Sequence, residues 1–101
     1  MQELTGKQKS FLRGLGQRLS PLATVGKAGL SEETAANLRR LLEAHELVKV
    51  QLPGELGGGR TEYGQTLAAA VGAACAGVVG RMALLYRPSE TLHPARRLTL
   101  P

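Results

Sequence analysis

The sequence predicts an α/β domain in which helices pack on a mixed sheet, in the order α-β-α-β-α-β-β. Three observations lead there. Apolar residues recur at helical spacing in three segments, near residues 5–18, 32–45 and 61–75. Short apolar or alternating runs, Leu22–Val25 and Glu46–Leu52, lie between them, and two more follow the third helix. Alternation of helix and strand is the pattern of a sheet covered by helices. A chain of 101 residues, 43% hydrophobic, makes one domain with a modest core, and it contains no internal repeat.

Thr5 is placed to cap the first helix, which runs to about Arg18 with Phe11, Leu12, Leu15 and Leu19 as its apolar stripe. Gly14 and Gly16 weaken it by about 1 kcal/mol each relative to alanine, and mark a close contact with the sheet or an early end. Ser20-Pro21 breaks the helix, and Leu22–Val25 reads as the first strand. Ser31 is the N-cap of the second helix, Glu32 to about His45. Glu32 and Glu33 suit its dipole, Leu30 and Ala35 can form a staple, and Leu38, Leu41 and Leu42 are its inner stripe. In Glu46–Leu52, Val48, Val50 and Leu52 share one face, with Lys49 on the other. A glycine-rich loop, 53–59, leads to a third helix, Thr61–Cys75, with Leu67, Val71 and Ala74 inward. Gly77–Gly80 and Met82–Arg87 form a closing hairpin around Gly80-Arg81. Pro88 ends the last strand, which divides the chain into a domain over 1–88 and an extended or flexible tail over 89–101.

The formal charge is +5 with a pI near 10, which points to an acidic partner rather than to a fold. The surplus is uneven. Lys7, Lys9, Arg13, Arg18 and Lys27 face only Glu3 in the first 30 residues, and Arg87, Arg96 and Arg97 face only Glu90 after residue 86. The single cysteine, Cys75, excludes an intrachain disulfide and reads as a small hydrophobe. No apolar run approaches the length of a membrane helix, and the start lacks the apolar core of a secretion signal. A soluble cytoplasmic domain is the expectation.

The segment with most chemical content is Val25-Gly26-Lys27-Ala28-Gly29-Leu30-Ser31. Two glycines let a backbone approach another surface, Lys27 adds a charge, and a capped helix begins directly afterwards. The combination suits an anion such as phosphate; a plain strand-to-helix turn is the other reading. Gly54–Thr61 imitates a phosphate-binding loop, but Arg60 stands where a lysine is required. The chain has no aspartate to hold magnesium. His45, His93 and Cys75 do not form a zinc spacing, and no nucleophile has a base held by a carboxylate. The expectation is therefore no catalytic set, no metal, no cofactor and no small-molecule substrate. Of the aromatic residues Phe11, Tyr63 and Tyr86, the first and last fall on core stripes, so stacking on strand aromatics is not the main source of nucleic-acid affinity. Backbone contacts and Lys/Arg charge would dominate.

Four blocks resemble the YhbY-type, CRM-domain RNA-binding proteins. They are Leu4-Thr5-Gly6-Lys7-Gln8-Lys9 with Phe11-Leu12-Arg13, then Val25–Leu30, then His45–Val50, then Gly80–Pro88. They stand in the family's order and cover about residues 3–88. The resemblance implies a compact domain with a four-stranded mixed sheet, similar to the C-terminal domain of translation initiation factor 3. It also implies RNA binding through the Gly-x-x-Gly loop in a KH-like manner. Stand-alone bacterial members are associated with precursors of the large ribosomal subunit, and plant relatives with intron splicing. Carried onto this chain, it assigns RNA contact to Gly26, Lys27, Ala28 and Gly29. Lys7, Lys9, Arg13, Lys49, Arg81 and Arg87 are added by charge and expected face. The expected protein is a non-catalytic, monomeric RNA-binding factor for ribosomal RNA in large-subunit assembly. A protein-interaction adaptor, docking on a ribosomal protein or assembly GTPase, is the alternative.

Overall fold

Helix α1 (Gly6–Gly16) starts with a capping box: Thr5 Oγ1 accepts the Gln8 N–H at 3.1 Å, and Gln8 Oε1 accepts the Thr5 N–H at 3.0 Å. The computed structural model describes residues 3–54, 56 and 58–101. Glu55 and Gly57 of the glycine-rich loop, and the first two residues of the domain, lie outside the described residues. Strand β1 (Ala23–Thr24) is followed by α2 (Glu32–His45), β2 (Leu47–Gln51), α3 (Arg60–Ala70), β3 (Ala74–Val79) and β4 (Met82–Tyr86). A 3-10 turn, Pro94–Arg96, lies in the tail. The four strands form one mixed sheet in the order β1-β2-β4-β3, parallel between β1 and β2 and antiparallel elsewhere. The expected element order and sheet are thus present.

Strand alternation divides the core in two. Val48, Val50 and Leu52 from β2 and its end join Ala83 and Leu85 of β4, Leu38 and Leu42 of α2, and Leu67 and Val71 at α3. The opposite face, Leu47, Leu84 and Tyr86, packs on Leu4 and on Leu12 of α1. Each fully buried leucine adds about 1.5–3 kcal/mol. On this second face the inner line of α1 is Leu12 and Gly16, not Phe11, which is 39% exposed. A Cβ on Gly16 would stand 2.5 and 2.7 Å from the two Leu84 methyls, so the helix is drawn close to the sheet.

The third helix differs from the expected Thr61–Cys75. It stops at Ala70 because Gly72 takes φ +70° and closes a Schellman motif. The Gly72 N–H reaches Ala69 O at 3.2 Å, and the Ala73 N–H reaches Ala68 O at 2.8 Å. Ala74 and Cys75 therefore begin β3, well before the expected Gly77, and Ala74 packs against the α1-side cluster rather than with Leu67 and Val71. The register of β3 on β4 slips between Cys75 and Gly77, a bulge at Ala76.

Glu46, expected to open the second strand, instead ends α2 at φ +63° and is 1% exposed. Such a backbone costs on the order of 1–3 kcal/mol and persists only where its surroundings hold it. Here they do: its carboxylate accepts the N–H groups of Ser89 and Leu98, both at 2.6 Å, and its carbonyl accepts the Arg87 N–H at 3.0 Å. The segment after Pro88 is thereby fastened to the end of α2. Leu98 and Leu100 reach the α1-side cluster, and Gln8 Nε2 donates to Pro101 O at 3.2 Å.

Candidate nucleic-acid interface

Both stems of the Gly26–Gly29 turn are anchored. Val25 is buried and its N–H bonds Gln51 O at 2.8 Å, which places the turn at the end of β1. Leu30 packs with Ala35 in the larger core cluster. Between these anchors the Gly29 N–H bonds Gly26 O at 3.0 Å and closes a β-turn. Gly29 has φ +79°, a conformation that L side chains rarely adopt, so the second glycine is required by the backbone. Gly26, Lys27 and Ala28 are exposed, and a Cβ on Gly26 would meet nothing within 4 Å. The first glycine is therefore dispensable for folding and leaves the backbone open to an incoming group. Ser31 accepts the Thr34 N–H at 3.1 Å and starts the 14-residue α2 beside the turn, with its positive dipole end there. Glu32 and Glu33 offset part of that field.

The sheet brings further groups to the same end. Gln51 pairs with Thr24 on one side and Met82 on the other, so the Gly26 turn and the β3–β4 turn project together. Arg81 in that second turn is exposed, its backbone oxygen accepting the Leu52 N–H at 2.7 Å. Its guanidinium lies over Gly54, with Nη2 2.9 Å from where a Cβ would stand. The first turn of α3 adds Tyr63, which the sequence did not single out for this role. The Tyr63 hydroxyl is 3.7 Å from the Cβ position of Gly29. Arg60 precedes it by three residues, and its Nε is buried without a hydrogen-bond partner among the described residues. The place of Tyr63 at a helix start was the available signal, but only the fold shows that this start meets the Gly29 turn.

The remaining candidates are elsewhere. Lys7 and Lys9 lie on α1, exposed and half-buried respectively. Arg13 extends along β3, where its Nη1 donates to Ala76 O at 3.2 Å. Lys49 sits half-buried on the α1 side of β2. Arg87 is at the far end of β4, roughly 20 Å from Arg81 along an extended strand. It pairs with Glu43 at 3.0 Å and donates to Val71 O at 3.2 Å.

The turn can hold an oxyanion by charge and dipole. The one thiol, Cys75, is pushed up by burial and is a poor nucleophile. Tyr86 is likewise pushed up, by burial and by the nearby Glu46 charge. Among the described residues no three His, Cys, Asp or Glu side chains stand close enough to share a metal ion. No described helix is long and apolar enough to cross a membrane.

Comparison with known proteins gives a consistent result. The family model of the CRS1 / YhbY (CRM) domain matches residues 4–87. An RNA-binding protein of Haemophilus influenzae is 36% identical over 90 residues, covering 89% of this chain and 91% of its own. YqeI of Bacillus subtilis, a candidate RNA-binding protein, is 31% identical over 87 residues, covering 86% of this chain and 91% of its own. The solution structure of SAV1595 from Staphylococcus aureus, a hypothetical protein and candidate RNA binder, superimposes with a TM-score of 0.79 at 32% identity. That superposition covers 97% of this chain and 99% of the other.

Proposed function

The chain belongs to the CRS1 / YhbY (CRM) domain family, and we propose that it is a non-catalytic RNA-binding protein that grips the RNA backbone at the Gly26–Gly29 turn. The observation that carries the reading is the turn itself. It is exposed at Gly26, Lys27 and Ala28, pinned at both stems, and set at the head of α2. Arg81 stands in the adjoining turn and the Tyr63 hydroxyl lies beside Gly29, so a phosphate held at the turn has backbone, charge and a hydroxyl at hand. Lys7 and Lys9 extend the positive surface along α1. Arg13, Lys49 and Arg87 belong to the wider basic surface, with Arg13 and Arg87 also holding their own backbone. The RNA is ribosomal RNA in precursors of the large subunit, bound in the cytoplasm by one copy of the chain. That target follows the association of stand-alone bacterial family members.

Gly26→Asp is the decisive substitution, because the new side chain enters open space and the fold does not need the glycine. It puts a carboxylate where phosphate would lie. In fluorescence anisotropy with a structured fragment of large-subunit RNA, affinity should fall at least tenfold while the thermal melt stays unchanged. Retained affinity with an unchanged melt would remove the turn from the interface.

A further inference from the structure

On the α1 side of the sheet, a groove of about 510 Å³ runs between the end of α1, the segment entering β1 and the tail. Its floor is Leu15, Leu19, Leu22, Leu47 and Leu98. Leu19 and Leu22 are 39% and 49% exposed, two of the few large apolar side chains left in water among the described residues. Arg18, Lys49 and His45 form the rim, and no described carboxylate lines it. We propose that this groove docks an acidic amphipathic segment of a partner protein, its apolar side chains on the leucines and its carboxylates against the rim.

The chemistry of the groove selects this occupant. Leucines present neither an aromatic face nor a hydrogen-bonding group, so an RNA base entering would lose water and gain no stacking. A second copy meeting this face about a two-fold axis would bring one basic rim, with Arg18 and Lys49, against another. The chain's own tail already supplies Leu98 as one wall, and its last residue is directed to Gln8 at the start of α1. The fold has no evident need of an exposed Leu22: its N–H bonds Lys49 O at 3.0 Å, which any residue but proline could do. Leu22 and Gly26 flank β1 at its two ends, so the groove and the RNA turn can be occupied together, Lys49 being the one residue that the groove shares with the wider basic surface.

The test places a photoreactive benzoylphenylalanine at Leu22 of the full chain, irradiates cells producing it, and sequences the crosslinked segment. A synthetic copy of that segment is then titrated into the purified chain. The expected segment has net negative charge and apolar residues at i, i+3 or i+4 spacing. Its affinity should fall with salt and drop at least tenfold in both Leu22→Glu and Arg18→Glu, while RNA affinity stays within twofold. Both positions are exposed, and melting curves verify that the variants fold. A crosslink to RNA, to a second copy, to a basic or neutral segment, or to nothing overturns the proposal. So does a synthetic segment that fails to bind or ignores the two substitutions.

Discussion

Gly14 and Gly16, two residues apart on α1, meet opposite surroundings. Gly14 is exposed with nothing within 4 Å of a Cβ, whereas Gly16 is buried against Leu84. Gly14→Ala should therefore raise stability by about 0.5–1 kcal/mol through backbone entropy alone. Gly16→Ala gains the same propensity but overpacks the sheet, at about 1–3 kcal/mol, so a net loss is expected. Urea midpoints at unchanged slope check both, and the opposite signs are the diagnostic. This pair also explains why the α1 stripe was only partly legible. A stripe is read from side chains, and Phe11 and Leu19 supplied them, yet the helix turns a bare backbone position to the sheet. Glycine has no hydropathy to count, so Gly16 could be noted as a contact but not weighed against Phe11. Tyr63 was hidden for a different reason: its place beside Gly29 depends on two helix starts meeting across the fold.

The C-terminal segment and the end of α2 act as one element. Glu43 Oε1 accepts the N–H groups of Glu90 and Thr91, both at 2.9 Å, and the hydroxyls of Ser89 and Thr91, both at 2.8 Å. The Ser89 and Thr91 hydroxyls, the Thr91 N–H and Arg87 lower its pKa from 4.5 to about 2. A carboxylate with a lowered folded value stabilises above its ordinary value and loses that contribution as pH falls through the folded one. The tail should therefore loosen between about pH 4.5 and 2, seen as a loss of protection at the Glu90 and Thr91 amides relative to intrinsic exchange at each pH. Glu43→Gln should lack that protection already at neutral pH and show little change on acidification. At this scale the sequence was clearest where chemistry marks the boundaries. Ser31, Glu32 and the leucine stripe delimit α2 unambiguously. Apart from Val71, the run Ala68–Ala76 offers only small residues, which suit helix and strand alike, so the stop at Gly72 and the bulged start of β3 were not legible. Packing of Val78 and Cys75 against the core decides that segment. The hold of Glu46 on Ser89 and Leu98 is likewise a contact between distant residues that no local pattern announces.

Across the whole molecule the positive charge is divided by the sheet, with the Gly26 and Arg81 turns at one end, Lys7 and Lys9 on α1, and Arg87 tied to Glu43 at the other end. The salt dependence of RNA binding separates these groups, since each phosphate neutralised contributes a slope of about 0.7–0.9. Lys7→Ala with Lys9→Ala should flatten the slope by up to about two such increments with little effect on folding. Arg87→Ala should flatten the slope by no more than one such increment and mainly lower the melting temperature, because Glu43 and the Val71 carbonyl lose a partner. The fold class, strand count and loop were legible because each has a local signature. The grouping of basic residues was not, because charge in a sequence carries no direction until the sheet assigns it. The sheet has one more property, set by the bulge at Ala76. With β3 at its border, the longest free strand is six residues ending in an exposed Val79, a natural template for another chain's strand. The bulge breaks the regular spacing of its amides, and the Arg13 guanidinium occupies the Ala76 carbonyl. A border that cannot be read in register cannot be copied, and the domain is guarded against fibril-like growth along its most vulnerable side.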